Sequence, residues 1–304
     1  MEGGDVGVAI DVEQVGMGGG AGGVVERGLS GVPPTALVLT GIVSVQVGAA
    51  LAKQLLSATG AAGAVSMRLV FGGVVLLVVW RSALRVGRQA VPVVLGCGAV
   101  LGVMNLLFYA AIDRIPLGMA VTIEFLGPLA VALGGSRRWT DPLWVLLAGG
   151  GVVLLTQVDG AVDGVGVLLA FGAGVLWASY ILLSAALGER TSGGGGLAIA
   201  MAFGGVLMAP LGVVDAGRAL LESEVLTMGF AVAMLSSVLP YSVELEALRR
   251  IPPRVFGVLM SLEPAVAALA GLIVLGQFMN IPQWVGVICV VAASAGATRT
   301  AEKC

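Results

Sequence analysis

The stretch RIPLGMAVTIEFLGPLAVALGG, residues 114–135, decides how the rest of the chain is read. It is an apolar run long enough to cross a hydrocarbon core, yet it carries a carboxyl, Glu124, and a proline, Pro128, near its middle. Shifted by 136 residues without a gap, it lies on RIPPRVFGVLMSLEPAVAALAG, residues 250–271. Arg114-Ile115-Pro116 then falls on Arg250-Ile251-Pro252, Leu126 on Leu262, Pro128 on Pro264, Ala132-Leu133 on Ala268-Leu269 and Gly135 on Gly271, which is 8 of 22 positions. Apolar composition inflates such matches, so the shared Arg-Ile-Pro carries most of the information. The pattern is that of a membrane segment present twice.

Working outward, the 304 residues are 58% hydrophobic and 11% charged, with a mean hydropathy of +1.04, which excludes an ordinary soluble chain. Apolar runs separated by short polar breaks predict ten membrane spans, at 36–57, 63–80, 91–111, 116–134, 142–157, 164–187, 196–214, 225–247, 255–275 and 281–298. The fourth span corresponds to the ninth, so the expected fold is all-α and integral to the membrane, with ten transmembrane helices forming two five-helix repeats. An odd number of crossings inverts the second repeat relative to the first. The expected domains are an acidic, glycine-rich, disordered tail at 1–34, repeats at 35–158 and 159–298, and a short tail at 299–304.

The bases set the expected orientation. With the N-terminus inside, Arg27, Arg81, Arg85, Arg88, Arg137, Arg138, Arg190, Arg249, Arg250, Arg254, Arg299 and Lys303 share one side, whereas only Arg114 and Arg218 face the other. Both termini are therefore expected in the cytoplasm. The chain is expected to be a multi-pass protein of a bacterial cytoplasmic membrane, with the lipid bilayer as its surroundings. The acidic opening lacks the order of a secretory signal.

Other classes lose support from the same inventory. A formal charge of -2 leaves no basic surface for nucleic acid. Histidine is absent, which removes imidazole proton shuttles, histidine metal sites and Ser-His or Cys-His catalytic pairs. Cys97, Cys289 and Cys304 match no disulfide or metal spacing. No metal or cofactor is expected. Many of the 48 glycines lie inside spans, where small residues let helix backbones approach closely, and the run at 193–196 is expected to be a flexible connection.

Six ionisable residues fall within spans: Lys53, Arg68, Glu124, Glu244, Glu246 and Glu263. Glu124 and Glu263 lie ~12 Å from the nearer predicted end, near the midplane. A charge there costs about 2.5–3.5 kcal/mol even on a lenient scale, so each needs a cavity, a partner or a proton. A carboxyl that takes up and releases a proton at this depth would suit proton coupling in a protein without histidine. The alternative is a protonated glutamate that staples two helices by a hydrogen bond. Glu244 and Glu246 lie near an inner end, where they could neutralise Arg249, Arg250 and Arg254, and for Glu246 that is the preferred reading. Arg68 or Lys53 could meet a substrate carboxylate.

Three prolines reinforce the central position. Pro128 has no N–H for the carbonyl of Glu124, Pro264 none for that of Met260, and Pro240 none for that of Ser236. Backbone left open at that depth is tolerated only against protein or a water-filled cavity. Gln46, Asn105, Tyr109, Trp177, Tyr180 and Tyr241 are the further candidates to line such a cavity, although a lone asparagine is often helix glue and aromatic residues near span ends are often anchors.

Residues 114–133, LPYSVE at 239–244 and FGVLMSLEP at 256–264 resemble the threonine/homoserine exporter type in the EamA branch of the drug/metabolite transporter superfamily. The similarity spans roughly residues 36–298, and Arg68, Asn105 and Tyr109 match positions of that type. The resemblance implies a ten-helix inner-membrane exporter that moves small amino acids outward in exchange for protons. Glu246 departs from the pattern, which has an apolar residue there, and the acidic tail is additional. A passive facilitator would keep the cavity without a titrating glutamate, and an intramembrane enzyme finds no aspartate inside a span to form a dyad.

Overall fold

The computed structural model describes residues 31–301 apart from 82–83, 85, 135–140, 157–162, 189, 192–193 and 249. Residues 1–30 of the tail expected at 1–34, together with Arg137, Arg138 and Cys304, lie outside the described residues. Every regular element among the described residues is helical: α1 (Pro34–Val79), α2 (Val91–Arg114), α3 (Leu117–Glu124), α4 (Leu126–Gly134), α5 (Asp141–Thr156), α6 (Gly164–Gly188), α7 (Gly195–Ala216), α8 (Ser223–Ala233), α9 (Leu239–Leu248), α10 (Pro253–Met260), α11 (Glu263–Leu275) and α12 (Ile281–Ala301). A 3-10 turn, Gly217–Leu221, follows α7, and a π-turn, Met234–Val238, joins α8 to α9.

Among the described residues, eight helical stretches are long and apolar enough to cross a membrane, and α5 contributes a shorter apolar helix, Pro142–Leu155. The expected spans 36–57 and 63–80 form one 46-residue element, because the small residues on either side of Gly60 continue the helix right up to it. Gly60 itself breaks the helix, at φ 63° and ψ 177°, where a Cβ would also strike Asp215. The two legs of α1 fold back on each other there. Ser44 on the first leg donates to the Leu235 carbonyl at 2.6 Å, and Arg68 on the second donates to the Ser236 carbonyl at 2.9 Å. A straight helix would hold residues 44 and 68 ~36 Å apart. Asp215, near the end of α7, accepts from the Ala62 N–H at 3.2 Å and so caps the start of the second leg.

The two matched segments fold alike. α3 and α10 are each eight residues long, they coincide under the shift of 136, and the prolines before them, Pro116 and Pro252, both adopt φ −57° and ψ 142°. Each is followed by a break, at Phe125 in one and at Ser261 and Leu262 in the other, before α4 or α11 resumes. A proline just after each break removes the N–H that would have continued the helix.

The interior is closed by backbone-to-backbone approaches as much as by side chains. A Cβ on Gly98 or Gly204 would meet the carbonyl of Ala200 or Gly98, which joins α2 to α7. Around these crossings Leu69, Leu76, Leu101, Tyr109, Ile112, Leu117, Met119 and Met201 are almost wholly buried. Val74, Val78, Leu146, Leu168, Leu182, Val206 and Ile288 are exposed, as expected of side chains whose solvent is lipid. Gly195 and Gly196, expected in a connection, instead open α7, where Gly196 packs against Thr191 and Leu187.

Candidate functional site

The π-turn organises the centre. Because Pro240 has no N–H, the Ser236 carbonyl loses its helical donor, and the Leu239 N–H bonds the Met234 carbonyl five residues back instead of Leu235. Two consecutive carbonyls are thereby released, and the two legs of α1 take them: Ser44 bonds Leu235, and Arg68 bonds Ser236. Arg68 also donates from Nε to Ser237 Oγ at 3.2 Å and from Nη1 to the Tyr109 hydroxyl at 3.4 Å, and its guanidinium carbon lies 5.8 Å from the Tyr109 ring centroid. Three of the five N–H donors of a guanidinium are used, which fixes its plane and leaves two. Such bonding is what lets an arginine only 9% exposed stay inside the protein.

One carboxyl, Glu124, neighbours this cation, and two more, Glu263 and Glu244, join it from other elements. Glu124 is the last residue of α3, Glu263 the first of α11, and both are buried. Glu244, on α9, packs against Gly41 of the first leg, where a Cβ would come within 3.2 Å of Oε1. Arg68 and Glu124 are electrostatic neighbours, and Glu263 senses both Glu244 and Glu124. Tyr241 couples to Arg68, Glu244 and Tyr180, which brings α6 into the same set. Among the described residues, none of these three carboxyls accepts a hydrogen bond. Three acids grouped with a single base leave a demand for positive charge, which an ammonium group or protons can meet.

Glu124 ends α3 against α6. A Cβ on Gly174 would lie 2.6 Å from the Glu124 carbonyl, and one on Gly127 would strike the Gly174 carbonyl, so α6 covers the carbonyl that Pro128 leaves open. Beside this crossing, Phe125 and Trp177 meet edge to face at 5.5 Å between centroids. On the other side of the centre, Pro264 follows Glu263 at the start of α11, one turn after Met260.

The remaining expected residues divide. Tyr109 is fully buried on Arg68. Asn105 turns back on its own helix, donating to the Leu101 carbonyl at 2.8 Å. Lys53 sits apart from Arg68, with its ammonium on the Ile115 carbonyl at 3.1 Å and Asp113 nearby. Glu246 pairs with Arg250, Nε to Oε1 at 2.8 Å, as its position beside the bases suggested. Gln46 is 2% exposed and its Oε1 has no partner among the described residues. Ser44 and Ser237 were not singled out from the sequence, since a hydroxyl within a helix ordinarily bonds its own backbone. The signal was present in Ser236-Ser237 placed just ahead of Pro240.

At the polar edge, Arg114 pairs with Asp163 at 3.0 Å. This bond, followed by the Gly166 amide, holds the Asp163 carboxyl below the usual aspartate range. Asp163 also accepts from the Val165 N–H at 2.8 Å, and so caps α6.

With this geometry in view, the chain can be set beside known proteins. Residues 164–299 match the model of the EamA-like transporter family. The chain is 42% identical over 276 residues to the threonine/homoserine exporter RhtA of Escherichia coli (strain K12), covering 89% of this chain and 92% of that protein. The exporter of the same name from Salmonella typhimurium (strain SL1344) matches equally, at 42% over 276 residues and the same coverage. The uncharacterized transporter YwfM of Bacillus subtilis (strain 168) is 25% identical over 257 residues, 78% of this chain and 86% of that one. A solved crystal structure at 17% identity shares the fold, with a TM-score of 0.63 over 88% of this chain and 98% of its own. Broken helices in matched register, a buried polar centre and similarity along most of its length together mean that the chain belongs to the EamA-like transporter family.

Proposed function

We propose that the protein is a secondary transporter that exports small amino acids of the threonine/homoserine type in exchange for protons, by alternating access around Arg68, Glu124 and Glu263. The observation that carries this is a buried guanidinium with two N–H donors left and Glu124 as its neighbour, grouped with Glu263 and Glu244, none of the three carboxyls being hydrogen-bonded among the described residues. Such a site is complementary to a zwitterion. Arg68 receives the carboxylate, an assignment favoured over Lys53 because Lys53 is engaged at the Ile115 carbonyl. The ammonium group goes to the carboxyls, and protons take its place when it leaves, with Glu124 and Glu263 as the carriers. Gln46, Asn105, Tyr109, Trp177, Tyr180, Tyr241 and Glu244 line the path. The 42% identity to exporters of threonine and homoserine supports the substrate class.

Ten crossings in two inverted repeats, over 35–158 and 159–298, suit this mechanism. In support, Gly60 divides α1 into two antiparallel legs, α5 supplies a further short apolar helix, and α3 and α10 coincide in length and entry geometry. The excess of bases on one side supports cytoplasmic termini in a bacterial cytoplasmic membrane.

The test is efflux of labelled threonine, homoserine and a wider amino-acid panel from cells, with and without an uncoupler, for the parent and Glu124→Gln. Parental threonine export is expected to fall with the uncoupler, and Glu124→Gln to lose most of the coupled component, at least about tenfold. Threonine export indifferent to both treatments would make the protein a facilitator. Movement of some other metabolite but neither threonine nor homoserine would keep the transporter and discard the substrate.

A further inference from the structure

Gln46 makes no hydrogen bond to any described residue, although it is only 2% exposed and its Oε1 is wholly enclosed. An amide carries two donors and an acceptor, and leaving such groups unmet in the interior costs about 1–3 kcal/mol each. A protein keeps that cost where something else satisfies the group.

The direction in which Gln46 faces follows from helix geometry. On the first leg of α1, Gly41, Ser44 and Gly48 sit on the side of α9 and the π-turn. Gln46 lies on the opposite side, together with Ile42, four residues before it, and Lys53, seven after. Ile42 belongs to an apolar cluster with Val243 and Ala247 of α9, against which Met260 and Val266, on either side of the α10/α11 break, also pack. Lys53 reaches the Ile115 carbonyl, just ahead of α3. Gln46 is ~10.5 Å deeper than Lys53, and the same distance along α3 from Ile115 reaches about residue 122, next to Glu124. Its depth agrees with that of the charged centre, since Gly48 and Arg68 both meet Ser236 and Arg68 neighbours Glu124. α1 and α3 both pack on α11 but barely touch each other, so the face of α1 that carries Gln46 and Lys53 turns toward α11 and α3.

We infer that Gln46 is the specificity-determining residue of this site, its amide bonding the side-chain hydroxyl of the transported amino acid. The inference rests on the proposed export of hydroxy amino acids and assigns the recognition of the hydroxyl to one residue. A hydroxyl both donates and accepts, which matches an amide with nothing else to bond. Valine, threonine with the hydroxyl replaced by methyl, enters the same space but leaves the amide unmet, and sites built to bond a hydroxyl discriminate strongly against such analogues.

The experiment compares Gln46→Leu with the parent, measuring efflux of labelled threonine and valine from cells and the thermal unfolding of each protein in detergent. Leucine is similar in size and removes the unmet amide, so the empty variant is expected to unfold at the same temperature as the parent or higher. Its threonine-over-valine preference is expected to drop at least about tenfold with valine efflux retained. A preference unchanged from the parent overturns the inference. A lowered unfolding temperature also overturns it, because the amide would then be bonded within the fold. Failure of the underlying function is visible in the parent alone, as an absence of threonine efflux before any variant is made.

Discussion

Arg68 shows how one buried charge ties the molecule together. Its three bonds reach α2 through Tyr109 and the π-turn through Ser236 and Ser237, so its plane is set before any ligand arrives. Lysine at the same position keeps the charge but loses the planar fork, and cannot hold these acceptors and a carboxylate together. Arg68→Lys is therefore expected to reach the membrane normally while threonine efflux falls at least about tenfold, measured with labelled substrate at matched protein levels. At this scale much was legible in the sequence. An ionisable group inside an apolar run is visible without a structure, and so is a proline that strands a carbonyl, which is why Arg68, Glu124, Glu263 and Ser236 could be named. Lys53 carried the same signal as Arg68, but which of two cations meets the centre depends on its depth and on the acceptor across from it, the Ile115 carbonyl for Lys53, and one residue in an apolar run does not report that.

At the scale of elements, the breaks matter more than the helices. The π-turn exists because Pro240 withdraws a donor, and the legs of α1 answer with Ser44 and Arg68. Pro240→Ala restores an N–H to compete for the Ser236 carbonyl, which favours the regular helix and loosens the hold of Arg68. The expected result is unfolding at an unchanged or higher temperature together with efflux reduced on the order of tenfold, because the guanidinium is no longer held in place. A parallel loss of stability and efflux would instead show that the turn serves packing alone. The shift of 136 residues predicted that α3 and α10 would correspond, and their lengths and the geometry of Pro116 and Pro252 agree. The break at Gly60 falls inside the expected gap between the spans 36–57 and 63–80, and the structure narrows that gap to one residue, because composition marks where apolar character weakens and not where a helix stops.

For the whole molecule, the proposed arrangement has an outer face that includes Leu221, 78% exposed, and an inner face that includes Gly87, where an added side chain meets nothing within 4 Å. In a chain with Cys97, Cys289 and Cys304 replaced, Leu221→Cys is expected to react with an impermeant thiol reagent added to intact cells. Gly87→Cys is expected to react only after the membrane is opened. The reverse pattern would turn the orientation over and make the proposed direction of export untenable. Length, hydropathy and the duplicated Arg-Ile-Pro segment by themselves determined an all-helical membrane protein with carboxyls and prolines near the midplane, because crossing a bilayer demands apolar runs of fixed length and makes every exception conspicuous. Only the tertiary structure decided that Arg68 and not Lys53 neighbours Glu124, that Ser44 and Ser237 complete the π-turn, and that Gln46 is left unpaired among the described residues. Those outcomes depend on how helices rotate and cross, which small residues such as Gly48, Gly127 and Gly174 allow by close approach but which composition along a single chain does not encode.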